Sequence, residues 1–70
     1  MKKILIIGVG AQGSTIARRM DEHPEVSEII CADYDIKAAE KLISALKKAS
    51  ALGLDAKDLN SVIQAAAGCD

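Results

Sequence analysis

The spacing of hydrophobic positions along the chain switches between two periods. Residues 3–7 (KILII) are a nearly unbroken run of branched aliphatics, the pattern of a strand buried on both faces. Residues 28–32 (EIICA) form a second such run. Residues 49–54 make a weaker third one, with alanines, Ser50 and Gly53 where branched residues would be expected. Elsewhere the period is helical. Gly13, Ile16, Ala17 and Met20 fall at i, i+3, i+4 and i+7, as do Ala39, Leu42, Ile43 and Leu46, and again Leu59, Val62, Ile63 and Ala66. Each set predicts a helix with one apolar stripe, leaving Arg18, Arg19, Glu22, Lys37, Glu40, Lys47 and Asn60 to water. Asp35 and Asp58 are placed to cap the second and third helices. Pro24 stops the first, because the residue before a proline avoids helical angles.

The order β-α-β-α-β-α predicts an α/β fold with a parallel sheet. Right-handed crossovers put its strands in spatial order 3-2-1. In a doubly wound sheet a fourth strand would lie beside the first, and the chain reaches Gly68-Cys69-Asp70 where that strand would begin. The expectation is therefore a partial domain spanning residues 1–70, truncated before strand 4. Self-association or the remainder of a longer parent chain would cover the edge of strand 1.

Composition narrows the function classes. Half of the residues are hydrophobic, yet Tyr34 is the only aromatic, so there is no stacking platform for nucleic-acid bases. Net charge is −1, and the pairs Arg18-Arg19 and Lys47-Lys48 are too short for a phosphate-backbone footprint. Neither nucleic acid nor membrane is expected as a partner, since the apolar run at residues 4–7 is far short of a span or a signal core. The expected location is cytoplasmic. Cys31 and Cys69 fit neither a zinc nor a CxxC spacing, so both are expected to be reduced, with Cys31 packed in a strand. His23, ahead of Pro24, reads as a surface turn residue. No metal site is expected.

The chemistry lies between the first strand and the first helix. Gly8-Val9-Gly10-Ala11-Gln12-Gly13 matches G-x-G-x-x-G, a motif that means little alone and much when a buried strand runs into it and a helix opens from it. Gly8 permits the sharp exit from the strand. Gly10 lets the backbone approach a pyrophosphate, and Gly13 lets helix and strand pack closely. The amides of Ala11, Gln12 and Gly13 then face an anion from the positive end of the helix. Gln12 could itself reach a phosphate or face water. Asp33 follows Gly13 by twenty residues at the end of the second strand, where a carboxylate accepts hydrogen bonds from both adenosine ribose hydroxyls. It would repel a 2′-phosphate, and Tyr34 and Asp35 rather than an arginine follow it. The expected cofactor is NAD, with NADP disfavoured. Tyr34 is expected at the rim of the adenosine site. Asp55 either walls the adenine pocket or merely starts a helix.

Three stretches, KILIIGVGAQG at residues 3–13, ADYDIKAAE at 32–40 and LDAKDL at 54–59, together resemble the N-terminal Rossmann domain of the saccharopine dehydrogenase and lysine dehydrogenase-like family. The second stretch is the more specific, because the glycine loop is common to most Rossmann proteins. The resemblance implies an oxidoreductase that transfers hydride at an amino-acid C–N bond with a nicotinamide cofactor. It implies cofactor positions at Gly8, Gly10, Gly13 and Asp33. Substrate domain and catalytic residues would lie outside this chain, which alone is expected to be inactive. The alternative is a regulatory NAD(H)-sensing module of a transporter or channel, since such modules share the loop and the acid.

Overall fold

The computed structural model describes residues 2–69. Six elements alternate: β1 (Lys2–Ile7), α1 (Ala11–Glu22), β2 (Val26–Asp33), α2 (Ile36–Ile43), β3 (Ala49–Gly53) and α3 (Leu59–Ala66). The strands form one parallel sheet in the order β1-β2-β3, with β2 in the centre. Register sets Ile7 beside Ala32 and Asp33 beside Gly53, so all three strands end at one edge. The ladder runs one residue further there. Gly8 N–H donates to the Ala32 carbonyl at 2.8 Å, and Leu54 N–H to the Asp33 carbonyl at 2.9 Å.

The core lies on one face of this sheet. Ile6, Val9, Ala17, Val26, Ile29, Cys31, Ala39 and Leu42 form a single buried cluster that α1 and α2 share. Ile29 and Cys31, on the central strand, are fully buried, and an isoleucine so placed is worth about 1.5–3 kcal/mol relative to exposure. The weak third strand does form, and its small residues have a packing reason. Ala49 and Ala51 lie against the cluster, and a Cβ on Gly53 would stand 3.7 Å from Ile36. Small side chains let α2 settle close on β3.

Several expectations need correction, and most have one cause: the core packs on one face of the sheet and the other is only thinly covered. β1 is not buried on both sides, since Ile7 is 44% exposed and Leu5 only half-buried. The stripe of α3 finds no core at all. Leu59 is 69% and Ile63 58% exposed, and no residue of this helix is buried. Periodicity tells which side of a helix is apolar, not that something packs there. In α1, Gly13, Ala17 and Met20 turn inward while Ile16 remains 48% exposed. A contact built on glycine and alanine is narrow, and Ile16 falls on its flank. Helix α2 ends at Ile43, so Leu46 reaches the core from the turn that follows.

Side chains also close the loops. Asp35 and Asp58 cap α2 and α3 by accepting from Lys37 N–H and Ser61 N–H. The His23 ring lies in a surface turn, where Nδ1 accepts from Glu25 N–H at 3.2 Å. Cys31 and Cys69 are free thiols, and burial pushes the Cys31 thiol up. An unforeseen clasp centres on Asp21. Its carboxylate accepts from Lys48 N–H at 2.8 Å and from Lys47 N–H at 3.0 Å. The Lys48 ammonium donates to the carbonyls of His23 and Val26 at 2.9 and 2.8 Å. The end of α1, the start of β2 and the entry to β3 are thereby tied together. The Lys48 amide first, then that of Lys47, holds the Asp21 carboxyl below the usual carboxylate range.

Two outcomes follow for stability. A carboxyl lowered by folding stabilises the protein above its unfolded value, about 3.9 for aspartate, and that contribution is lost as pH falls through the lower folded value. Asp21→Asn should therefore flatten the loss of stability below about pH 4. Urea unfolding of both forms from pH 7 to pH 2 checks this, and parallel profiles would refute it. At position 13 an added Cβ would fall on the Gly8 carbonyl oxygen and stand 3.2 Å from its carbon. Glycine to alanine inside a helix normally gains about 1 kcal/mol. Gly13→Ala should instead lose about 1–3 kcal/mol, the cost of overpacking against backbone. A gain in urea midpoint would show that α1 can lift off the sheet freely.

Candidate functional site at the glycine loop

Each glycine of the loop has its own constraint, and for one the constraint is not internal. Gly8 has φ +88°, the left-handed region where a side chain is strained. Gly13 is required by the Gly8 carbonyl against it. Gly10 has φ −64° and ψ −167°, an extended conformation open to any residue. A Cβ there would meet nothing within 4 Å. Neither its backbone angles nor any described atom within 4 Å requires a glycine at position 10, which leaves its bare backbone open to a group arriving from outside.

The N-terminus of α1 is open in the same direction. Gly10 supplies no side-chain cap and the first turn holds no acidic residue, whereas α2 and α3 each begin under an aspartate. The first amides of a helix lack intrahelical acceptors, and the aligned peptide dipoles make that end positive. This donor set suits a phosphate or pyrophosphate.

Asp33 is joined directly to the loop. Its Oδ2 accepts from Val9 N–H at 2.9 Å, and its Oδ1 from Asp35 N–H at 2.9 Å. The Val9 amide foremost, then those of Asp35 and Tyr34, holds the Asp33 carboxyl below the usual range, so it is ionised at neutral pH. Each carboxylate oxygen keeps a second lone pair for another donor, such as a sugar hydroxyl. On the other side of Val9, the Ser14 hydroxyl donates to its carbonyl at 2.8 Å. The Val9 side chain itself is part of the buried cluster.

The structure thus gathers Gly8, Gly10, Ala11, Gln12, Gly13 and Asp33 around one loop. Gln12 is exposed and lines a shallow concavity with Ala11, Thr15 and Ile16. Tyr34, beside Asp33, is 82% exposed. Asp55 lies past β3 at the same edge of the sheet, but its carboxylate accepts from Lys57 N–H at 2.9 Å within its own turn and has no bond to the loop. Sequence reasoning missed Val9 and Ser14. The available signal was a serine in the first turn of a helix, where hydroxyls tend to bond back to nearby carbonyls.

Among the described residues no three His, Cys, Asp or Glu side chains are grouped to hold a metal ion. No helix among them is long and apolar enough to cross a membrane. No solved structure matches the chain. Residues 4–70 match the family described as saccharopine dehydrogenase NADP binding domain. That match takes in β1 from Ile4 onward, the glycine loop, Asp33 and all three helices. The chain therefore belongs to the saccharopine dehydrogenase NADP-binding domain family, a dinucleotide-binding domain of oxidoreductases.

Proposed function

We propose that this chain is the NAD(H)-binding N-terminal portion of an amino-acid oxidoreductase that acts at a C–N bond. The observation that carries the reading is Gly10, a glycine that neither its backbone angles nor its surroundings require. In this reading the bare backbone at Gly10 and the amides of Ala11, Gln12 and Gly13 receive the pyrophosphate. Asp33 accepts from the adenosine ribose, Tyr34 borders the adenosine, and Asp55 stands toward the adenine. When bound, the nicotinamide cofactor supplies the hydride chemistry, and the protein supplies binding and orientation. Catalytic residues and the amino-acid substrate site belong to a further domain of a cytoplasmic parent protein. Residues 1–70 serve as one part of the complete dinucleotide domain, with the exposed edge of β1 covered by the rest of that parent or by a second copy.

The preference for NAD over NADP is read from Asp33, although the family is described by NADP. An ionised carboxylate at the end of β2 attracts ribose hydroxyls and opposes a 2′-phosphate, and no arginine follows it in the chain.

Two measurements test the proposal. Gly10→Val should cost no more than about 1 kcal/mol of stability in urea unfolding, the loss of a glycine at a helix N-cap. It should weaken NADH binding at least about tenfold by calorimetry, equivalent to roughly 1.4 kcal/mol. Unchanged affinity would remove the pyrophosphate from this loop. Asp33→Ser should narrow the gap between NADH and NADPH affinities by about 1–3 kcal/mol, the cost of unpairing hydrogen bonds to a charge. The ratio of the two affinities is the informative quantity, because it cancels any effect common to both. Tighter binding of NADPH by the wild-type chain would overturn the NAD preference.

A further inference from the structure

We propose that Ser14 and Asp33 are positioning residues that clamp the two peptide groups flanking Val9 and so preform the phosphate cradle before any nucleotide arrives. The inference rests on the dinucleotide-binding reading and assigns these residues a task apart from touching the ligand.

Residues 8–10 are glycine, valine, glycine, so Val9 sits between two residues of the most permissive type. Rotation about the glycine bonds could turn either flanking peptide. Among the described residues neither Val9 polar group is held by another backbone group. The N–H of the 8–9 peptide goes to the Asp33 carboxylate at 2.9 Å, and the carbonyl of the 9–10 peptide receives the Ser14 hydroxyl at 2.8 Å. The buried valine side chain fixes a third point. Ser14 differs in this from its neighbour in the same turn. Thr15 bonds back four residues to the Ala11 carbonyl at 3.0 Å. Ser14 reaches five residues back, past the i−4 carbonyl of Gly10 that already takes its own amide at 2.8 Å.

The consequence for the cradle follows from peptide geometry. In a trans peptide the carbonyl and the N–H point in opposite directions, and no described peptide is cis. Turning the Val9 carbonyl toward Ser14 therefore turns the Gly10 N–H away from it. That N–H donates to nothing among the described residues, at a residue whose surroundings are empty for 4 Å about the Cβ position. Ser14 thus aims a donor outward without touching the ligand. Asp33 likewise fixes the preceding peptide while its remaining lone pairs stay free for the ribose. Preorganisation of this kind raises affinity by removing an ordering cost from binding.

The test separates a clamp from ribose contact by using two probes, ADP and 2′,3′-dideoxy-ADP, which lacks both hydroxyls. If Asp33 acted through the ribose alone, Asp33→Ala would weaken ADP and leave dideoxy-ADP unchanged. The clamp predicts a loss for both. Ser14→Ala should weaken both probes by the same factor, about three- to tenfold for one hydrogen bond. Ser14→Thr, which keeps the hydroxyl, should restore binding. Wild-type affinity for dideoxy-ADP in both Ser14→Ala and Asp33→Ala would overturn the proposal. Amide hydrogen exchange in the free chain gives a readout that needs no nucleotide. Val9 N–H should be protected in wild type and lose that protection in Asp33→Ala, with urea midpoints taken alongside to subtract global unfolding. Should wild type bind neither probe, the dinucleotide reading falls, and Val9 exchange alone then decides the clamp: unprotected in wild type, it does not exist.

Discussion

The contact between Gly13 and the carbonyl of Gly8 is the constraint from which the rest of the site descends. It lets the first turn of α1 press against the exit of β1, closer than any side chain would permit. Only then does Gly8 need its left-handed φ, because the chain must leave the strand and start a helix within three residues. Only then can Ser14, one residue further, reach back to Val9. The same closeness leaves the opening amides of α1 at the carboxyl edge of the sheet, level with the end of β2 where Asp33 stands. A lifted helix would break the Ser14 bond and move the Val9 amide from the Asp33 carboxylate together.

The energetic frame around this contact is one-sided. Helices α1 and α2 bury one face of the sheet around Ile29 and Cys31, and the Asp21–Lys48 clasp closes the end of that layer remote from the glycine loop. Nothing comparable holds α3, whose apolar side faces water. Small domains bury a lower fraction of their surface than large ones, and here the shortfall falls on α3, Leu5 and Ile7. The glycine loop lies on the well-packed side, because Val9 belongs to the same cluster as Ile29. The loop is therefore anchored by the strongest part of the fold.

Much of this was legible in the sequence because local rules and tertiary outcome agree. The two branched aliphatic runs became β1 and β2, the aspartates at 35 and 58 became caps, and the motif glycines fell where strand meets helix. What was not legible depends on partners rather than on pattern. The stripe of Leu59, Val62, Ile63 and Ala66 is as regular as that of α2, and periodicity cannot register that its Leu59 and Ile63 are left exposed. Ile16 obeys the helical spacing yet falls outside a contact narrowed by Gly13 and Ala17. Ala49, Ala51 and Gly53 look poor for a strand until α2 is known to rest on them. Asp21 acts on backbone groups far along the chain that no local rule marks, and Ser14 offers only the general signal of a hydroxyl in a helix's first turn, at an unusual spacing.

The acid at the end of β2 raises a question of sign, since it places a negative charge beside a loop suited to anions. Two unit charges 4 Å apart in water repel by only about 1 kcal/mol, and salt screens part of that. Against this stands what the carboxylate does for the loop. Its bond to Val9 N–H is charge-assisted, roughly twice as strong as a neutral one, and it acts on a peptide that borders two glycines. The amides of Val9 and Asp35 also satisfy the carboxylate in return, so its charge faces donors of the fold rather than open solvent alone. A neutral acceptor would avoid the repulsion but hold the peptide less firmly. A longer acid would have to bend to meet the same two amides. Aspartate fits because its short side chain spans Val9 and Asp35 at once and still keeps outer lone pairs on both oxygens.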